Sequence, residues 1–208
     1  KLVLGNARIS CHFIDGQSDQ FTADPDDLVL VDLIIRGGLI ADIVPAGTKN
    51  QEDHAFVDLQ GGQVWPGFVD LHTHLDKGHI WPRAENPDGS FMGALTAVKE
   101  DRQANWSRDD VQARMDFGLR CSYAHGTTAI RTHLDSQYPQ HYTSWSLFTE
   151  MREQWAGRID LQATSIIILD DLAGEHGDKL ADMIAESSGI LGAVTHMVDD
   201  LGKPLERA

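Results

Sequence analysis

Three things are scarce in this chain. Only two cysteines, Cys11 and Cys121, occur among 208 residues. They lie far apart and in no Cys-x-x-Cys arrangement, so neither a thiolate zinc knuckle nor a disulfide framework is indicated, and two free thiols are expected. Cations are also short: 17 Lys and Arg stand against 32 Asp and Glu, a formal net charge of -15, and no basic run occurs. Binding a phosphate backbone needs clustered cations, so nucleic acid is not an expected partner. Long apolar runs are missing as well. No stretch approaches the roughly 20 apolar residues of a membrane span, and no cationic start leads into an apolar segment as in a signal peptide. A cytoplasmic protein without membrane partners is the expectation. Because the first residue is Lys1 rather than Met, the true start is expected to be missing or processed.

What is present suits a globular fold, with 41% hydrophobic residues to build a core. Residues 1–63 read differently from the rest. Leu2-Val-Leu4, Leu28-Val-Leu-Val31, Leu33-Ile-Ile35 and Ile40-Ala-Asp-Ile-Val44 are short β-rich runs between turn clusters, which predicts a small antiparallel sheet or sandwich. Gly37-Gly38 supplies the positive φ of a tight hairpin. From residue 64 onward strands and helices alternate. Ser107-Arg-Asp-Asp110 resembles a capping box ahead of a helix with Val111, Met115, Leu119 and Ser122 on one stripe. A β-branched strand follows over Thr127–His133, then a helix from near Ser144 to Trp155 with Phe148, Met151 and Trp155 inward. A third strand is read over Ile159–Leu169, a helix around Lys179–Ser187, and a fourth strand over Ile190–Val194. Strands separated by helices make parallel βαβ units, and four of them fit the first half of a (β/α)8 barrel over residues 64–208.

The chemistry concentrates in Val64-Trp-Pro-Gly-Phe-Val-Asp-Leu-His-Thr-His-Leu-Asp-Lys77. Side chains at i and i+2 of a strand share a face, so His72 and His74 can converge on one metal ion. A bare His-x-His pair can equally be two solvated rings at a strand end. Here Pro66-Gly67 punctuates the start, and Phe68, Val69 and Leu71 predict a buried strand, which favours a rigid ligand pair.

Pro66–Lys77 resembles the first barrel strand of the amidohydrolase superfamily. Leu75-Asp76-Lys77, Ile130-Arg-Thr-His-Leu-Asp135 and Ile159-Asp-Leu-Gln162 are similar to its cytosine deaminase branch, which includes deaminases and amidohydrolases of aminated triazines. The resemblance implies a β-sandwich shared between the segment before the barrel and one returning after it. It also implies a mononuclear Zn or Fe site in which His72 and His74 are joined by a fifth-strand His and an eighth-strand Asp. A Glu just after that fifth-strand His would be the proton shuttle. These later residues would lie beyond residue 208, so the 208 residues alone are expected to be inactive. Dinuclear members carry a bridging Lys on the fourth strand, whereas Ile190–His196 has none. Cytosine deaminases place a Gln after the third strand where Ile168 stands here, which argues against cytosine itself.

Other polar groups at strand ends are candidates. Arg131, His133 and Asp135 share a face of the second strand, either at the active-site rim or as an Arg131–Asp135 ion pair bracing the barrel. His196 could meet substrate or be a satisfied supporting imidazole. Asp70 is expected to orient the second nitrogen of a ligand His, and Asp76 and Lys77 to support the loop that follows, with Lys77 anchoring it or solvated. His54, His125, His141 and His176 are expected to be exposed spectators. The resulting expectation is a homo-oligomeric, metal-dependent hydrolase that removes an amino or alkylamino group from a heterocyclic or amidine carbon by metal-activated water. Amide or ring C–N hydrolysis, and a non-catalytic binding barrel, remain as alternatives.

Overall fold

Residues 1–15, 20–48, 55–86, 88–172 and 175–195 are described by a computed structural model, and contacts divide the chain into the units Lys1–Pro66 and Gly67–Ala208. In the first unit, burial along β1 (Leu2–Ser10) alternates residue by residue, putting Val3, Ala7 and Ile9 on the core face. β1 pairs antiparallel with β2 (Leu28–Arg36), β2 pairs antiparallel with β3 (Leu39–Pro45), and β4 (Ala55–Asp58) lies parallel to β1 on its other side. Gly37 and Gly38 turn the β2–β3 hairpin with φ of +58° and +81°. The two runs read on either side of Asp32 are one strand. Asp32 is buried within it, accepting the backbone N–H groups of Asn6 (3.1 Å) and Gly47 (3.0 Å), and so satisfies the bulge between Leu4 and Ala7. Among the described residues this unit holds one sheet, with Ala7, Ile9, Val29, Val31 and Leu33 at its core.

In the second unit, β5 (Phe68–Thr73), β6 (Thr127–Asp135) and β7 (Asp160–Ile166) run parallel in the order β5-β6-β7. Gly67 allows β5 to start against β6: a Cβ there would collide with the Thr128 side chain. Two helices separate β5 from β6. The first, α1 (Phe91–Asn105), has no sequence counterpart above; Phe91, Met92 and Leu95 are exposed, and Val98 packs against the core. The second, α2 (Arg108–Ala124), starts as its residues predict. Ser107 caps it by accepting the Asp110 N–H, Val111, Met115 and Leu119 are fully buried, and Gly126 turns the chain at φ +86°. α3 (Gln140–Gln154) begins four residues earlier than Ser144, and α4 (Glu175–Glu186) begins before Lys179. Ile130 and Leu134 of β6 and Leu161 and Ala163 of β7 join Met115, Leu119, Trp145, Phe148 and Met151 in one core, so α2 and α3 cover one face of the sheet.

Two expectations need correction. The stretch Ile190–Val194 is not a full strand: isolated parallel bridges join Thr164 to Ile190 and Ile168 to Val194. Between them the Ser165 hydroxyl takes over the pairing, accepting the Gly192 N–H (2.8 Å) and donating to the Gly192 carbonyl (2.7 Å). β5 is not buried either. Phe68, Val69 and Leu71 are 58%, 59% and 65% exposed, because β5 is the edge of the sheet and pairs only with β6 among the described residues. Parallel strands alternating with helices that pack on one face fit a partial (β/α) barrel. No described helix is long and apolar enough to cross a membrane.

Trp145 is the largest side chain sealed in this core, and its indole N–H donates to the Ser136 hydroxyl at 3.0 Å. Trp145→Ala should destabilise the protein by about 3–5 kcal/mol, measured by denaturant unfolding. A cost under about 1 kcal/mol would show that the core closes without it.

Candidate metal centre

His72 lies near the C-terminal end of β5 and His74 directly after it, with ring centroids 5.2 Å apart and planes at 84°. Two imidazoles sharing a tetrahedral ion through bonds of about 2.0–2.1 Å would have centroids roughly 5 Å apart, so the pair fits one ion. The His74 Nδ1 lies 3.0 Å from the His133 carbonyl oxygen. A carbonyl only accepts, so Nδ1 carries the proton and Nε2 keeps its lone pair for a metal. Burial also holds the His74 pKa below its ordinary value, which keeps the ring in the neutral, ligating form.

His133 joins the pair through its ring as well as its backbone. It stacks on His72 at 3.9 Å with planes 16° apart, and its buried Nδ1 makes no hydrogen bond. Burial, with the adjacent His72 and His74, lowers its pKa too. Stacking presents a ring face rather than a nitrogen to His72, so His133 stands beside the pair. No group of three or more His, Cys, Asp or Glu forms a complete metal cage among the described residues.

The segment after β5 is fastened to β6 by side chains. The Leu75 N–H donates to Thr132 Oγ1 (3.0 Å). Asp76, fully buried, accepts the Asp135 N–H and the Ser144 hydroxyl, both at 2.9 Å. Lys77 Nζ (2.9 Å) and Arg102 Nη1 (2.7 Å) grip the two oxygens of Asp135, and Arg102 Nη2 also holds Gln137 Oε1 at 2.8 Å. From α2, Arg114 donates to the carbonyls of Asp76 and Gly78. Burial, and then the Asp135 charge, push the Asp76 carboxyl up to about 6.

Lys77 thus anchors the loop. Arg131 does not pair with Asp135; it donates to Gln162 Oε1 at 2.9 Å, its register partner on β7. Four residues of extended strand separate Arg131 from Asp135 by about 13 Å, and nearer cations take the carboxylate. Asp70 does not reach a ligand nitrogen. Its Oδ1 accepts the His72 backbone N–H at 3.1 Å, the local reach of a short carboxylate, and the His133 carbonyl fills the orienting role instead. Ile168 lies four residues past Thr164, the partner of His133, and is partly exposed beyond the end of β7. His54 and His196 fall outside the described residues. His125 is exposed, as expected. His141 is buried at 1% exposure and His176 half-buried, because α3 starts early enough to turn His141 into the interior. Arg102, Arg114 and Ser144 carried no readable signal. Thr132 did, as a polar residue on the buried face of β6 between Ile130 and Leu134.

In the fold Asp76 keeps its proton up to about pH 6, against an ordinary value of 3.8. Its contribution to stability is therefore full below that ordinary value and is lost as pH rises through the folded value. In metal-free protein, Asp76→Asn should gain stability relative to the parent between about pH 4.5 and about pH 7.5 in urea unfolding. An identical difference at both pH values would refute a protonated Asp76.

Residues 55–146 match the amidohydrolase family. The chain is 48% identical to a pterin deaminase of Rhizobium rhizogenes over 209 residues, covering 100% of the chain and 47% of that protein. It is 26% identical over 118 residues to an N-isopropylammelide isopropyl amidohydrolase of Pseudomonas sp., covering 52% of the chain and 28% of that protein. Among solved structures, a 5-methylcytosine deaminase from Klebsiella pneumoniae liganded with 5-fluorocytosine superposes with a TM-score of 0.64 at 20% identity, over 99% of the chain and 54% of its own. The chain thus spans about half the length of the first two of these proteins or less, and about half of the third. It belongs to the amidohydrolase superfamily.

Proposed function

We propose that this chain is part of a metal-dependent hydrolytic deaminase that releases ammonia from an aminated planar heterocycle, of the cytosine deaminase type within its superfamily. The observation that carries the reading is the His72–His74 pair, spaced for one ion and with the His74 tautomer set by the His133 carbonyl. The 48% likeness to a pterin deaminase supports the reaction class and makes pterin the first substrate to try. In this reading the second unit is the beginning of a (β/α)8 barrel whose later strands cover the exposed edge of β5. Residues 1–63 are then part of a β-sandwich.

His72 and His74 would hold one Zn or Fe ion, which when bound supplies Lewis acidity and lowers the pKa of water toward neutrality. The chain's own groups do the rest of the work on this side of the site. His133 sits against both ligands as a neutral imidazole with a free Nδ1, a hydrogen-bonding partner for a ring nitrogen or an exocyclic group. Asp135, gripped by Lys77 and Arg102, keeps the rim rigid. The overall change is water plus an amino-heterocycle giving the oxo-heterocycle plus ammonia, or an amine where the group is alkylated.

The test uses the longer enzyme. His72→Ala and His74→Ala should each strip the metal, by elemental analysis, and reduce ammonia release from pterin to background, while 1,10-phenanthroline should do the same to the parent. Metal retained at parent levels in His72→Ala would refute the ligand assignment. Ring-opened products without ammonia, across pterin, cytosine and an alkylaminotriazine, would replace deamination with cyclic-amide hydrolysis.

A further inference from the structure

A second cluster of rings lies on the same edge of the sheet and has no part in holding the ion. Tyr138 sits between β6 and α3, His141 and Tyr142 in the first turn of α3, and His176 at the start of α4 after β7. Both connections leave the C-terminal ends of parallel strands, the edge that also carries His74. From Asp135, the last residue of β6, Tyr138 is at most about 11 Å away along the chain. The intervening Gln137 is held by the same Arg102 that grips Asp135.

The four rings pack on one another. His141 contacts Tyr142 at 3.9 Å and His176 at 4.9 Å, and Tyr138 stands 5.9 Å from both imidazoles and 6.4 Å from Tyr142. Two features set the cluster apart from ordinary packing. Tyr138 and Tyr142 are 71% and 54% exposed although they rest on a buried base. Beneath them, His176 Nε2 is buried and makes no hydrogen bond, a costly state for a polar atom in a folded protein. Burial and the neighbouring His176 hold the His141 pKa low, so its ring is neutral and does not repel an uncharged ligand.

From this juxtaposition we infer that Tyr138, Tyr142, His141 and His176 form a wall that receives the planar ring of the substrate, an inference that rests on the deaminase reading above. Exposed phenol faces stack on a flat heterocycle, and the unfilled His176 nitrogen pairs with a polar group along its edge. A ring with nitrogen-rich edges satisfies both surfaces at once, which an aliphatic amide does not. The cluster then selects for ring size and edge pattern, while His72 and His74 attend to the reacting carbon.

The experiment uses the full-length protein with its metal chelated and pterin as probe, and reads the quenching of pterin fluorescence on binding. Tyr138→Ala should weaken binding about tenfold, Tyr138→Phe should stay within about twofold, and His176→Phe should weaken it several-fold. With metal restored, Tyr138→Ala should raise KM for pterin about tenfold and leave kcat within about threefold. Tyr138 is exposed, so its variants should keep the parent melting temperature, which separates this role from a structural one. Binding unchanged in both Tyr138→Ala and His176→Phe, or no pterin binding by the parent, would overturn the inference. Deamination of pterin that is indifferent to Tyr138 sinks the wall and leaves the deaminase reading standing. Binding that depends on Tyr138 in a protein that deaminates nothing does the reverse.

Discussion

The candidate site depends on how the segment His74–Lys77 is held after β5 has ended. Backbone pairing between β5 and β6 reaches only Thr73 and Thr132, yet His74 must be placed to within a fraction of an ångström to share an ion with His72. Side chains continue the pairing. Thr132 receives the Leu75 amide, Asp76 receives the Asp135 amide, and Asp135 takes Lys77, while Ser144 of α3 and Arg114 of α2 tie the same segment to two helices. A loop tied at so many points has little conformational freedom left to lose when a ligand arrives.

This arrangement uses polar groups deep in the second unit, and most of their atoms, though not Asp76 Oδ1 or Arg114 Nη2, find partners. Asp76 stands in a site that disfavours its charge, and two hydrogen bonds to one oxygen offset that burial. Asp135 carries a charge in a buried position only because Lys77 and Arg102 each occupy one of its oxygens. Arg83 does the same work farther out. It bridges Asp101 of α1 and Asp110 of α2, so the two helices between β5 and β6 are joined by a guanidinium.

Much of this could be read from residue order, and the rest could not, for identifiable reasons. The Ser107 cap, the Gly37-Gly38 hairpin and the first alternations of strand with helix each rest on a local rule, and the structure places them where the rule says; the His72 and His74 rings lie 5.2 Å apart although His74 falls just past the end of β5. α1 is hard to read because most of its apolar residues, Phe91, Met92 and Leu95, face outward and only Val98 packs on the core. The partners of Asp135 escaped because Lys77 and Arg102 are 58 and 33 residues away, and pairing across such distances leaves no trace in periodicity. The exposure of Phe68, Val69 and Leu71 was misread because burial of a strand depends on its neighbours, not on its own composition. The burial of His141 follows from α3 starting four residues before Ser144, which is more than one helical turn.

The edge position of β5 bears on how the polypeptide is made. Phe68 must wait for Thr127, 59 residues later, before its backbone finds a partner, and α1 and α2 have to emerge in between. Until then a ribosome-bound chain displays a bare strand of Phe, Val and Leu, a template for any extended peptide nearby. Translation speed through residues 74–126 therefore sets how long this strand is open to mispairing.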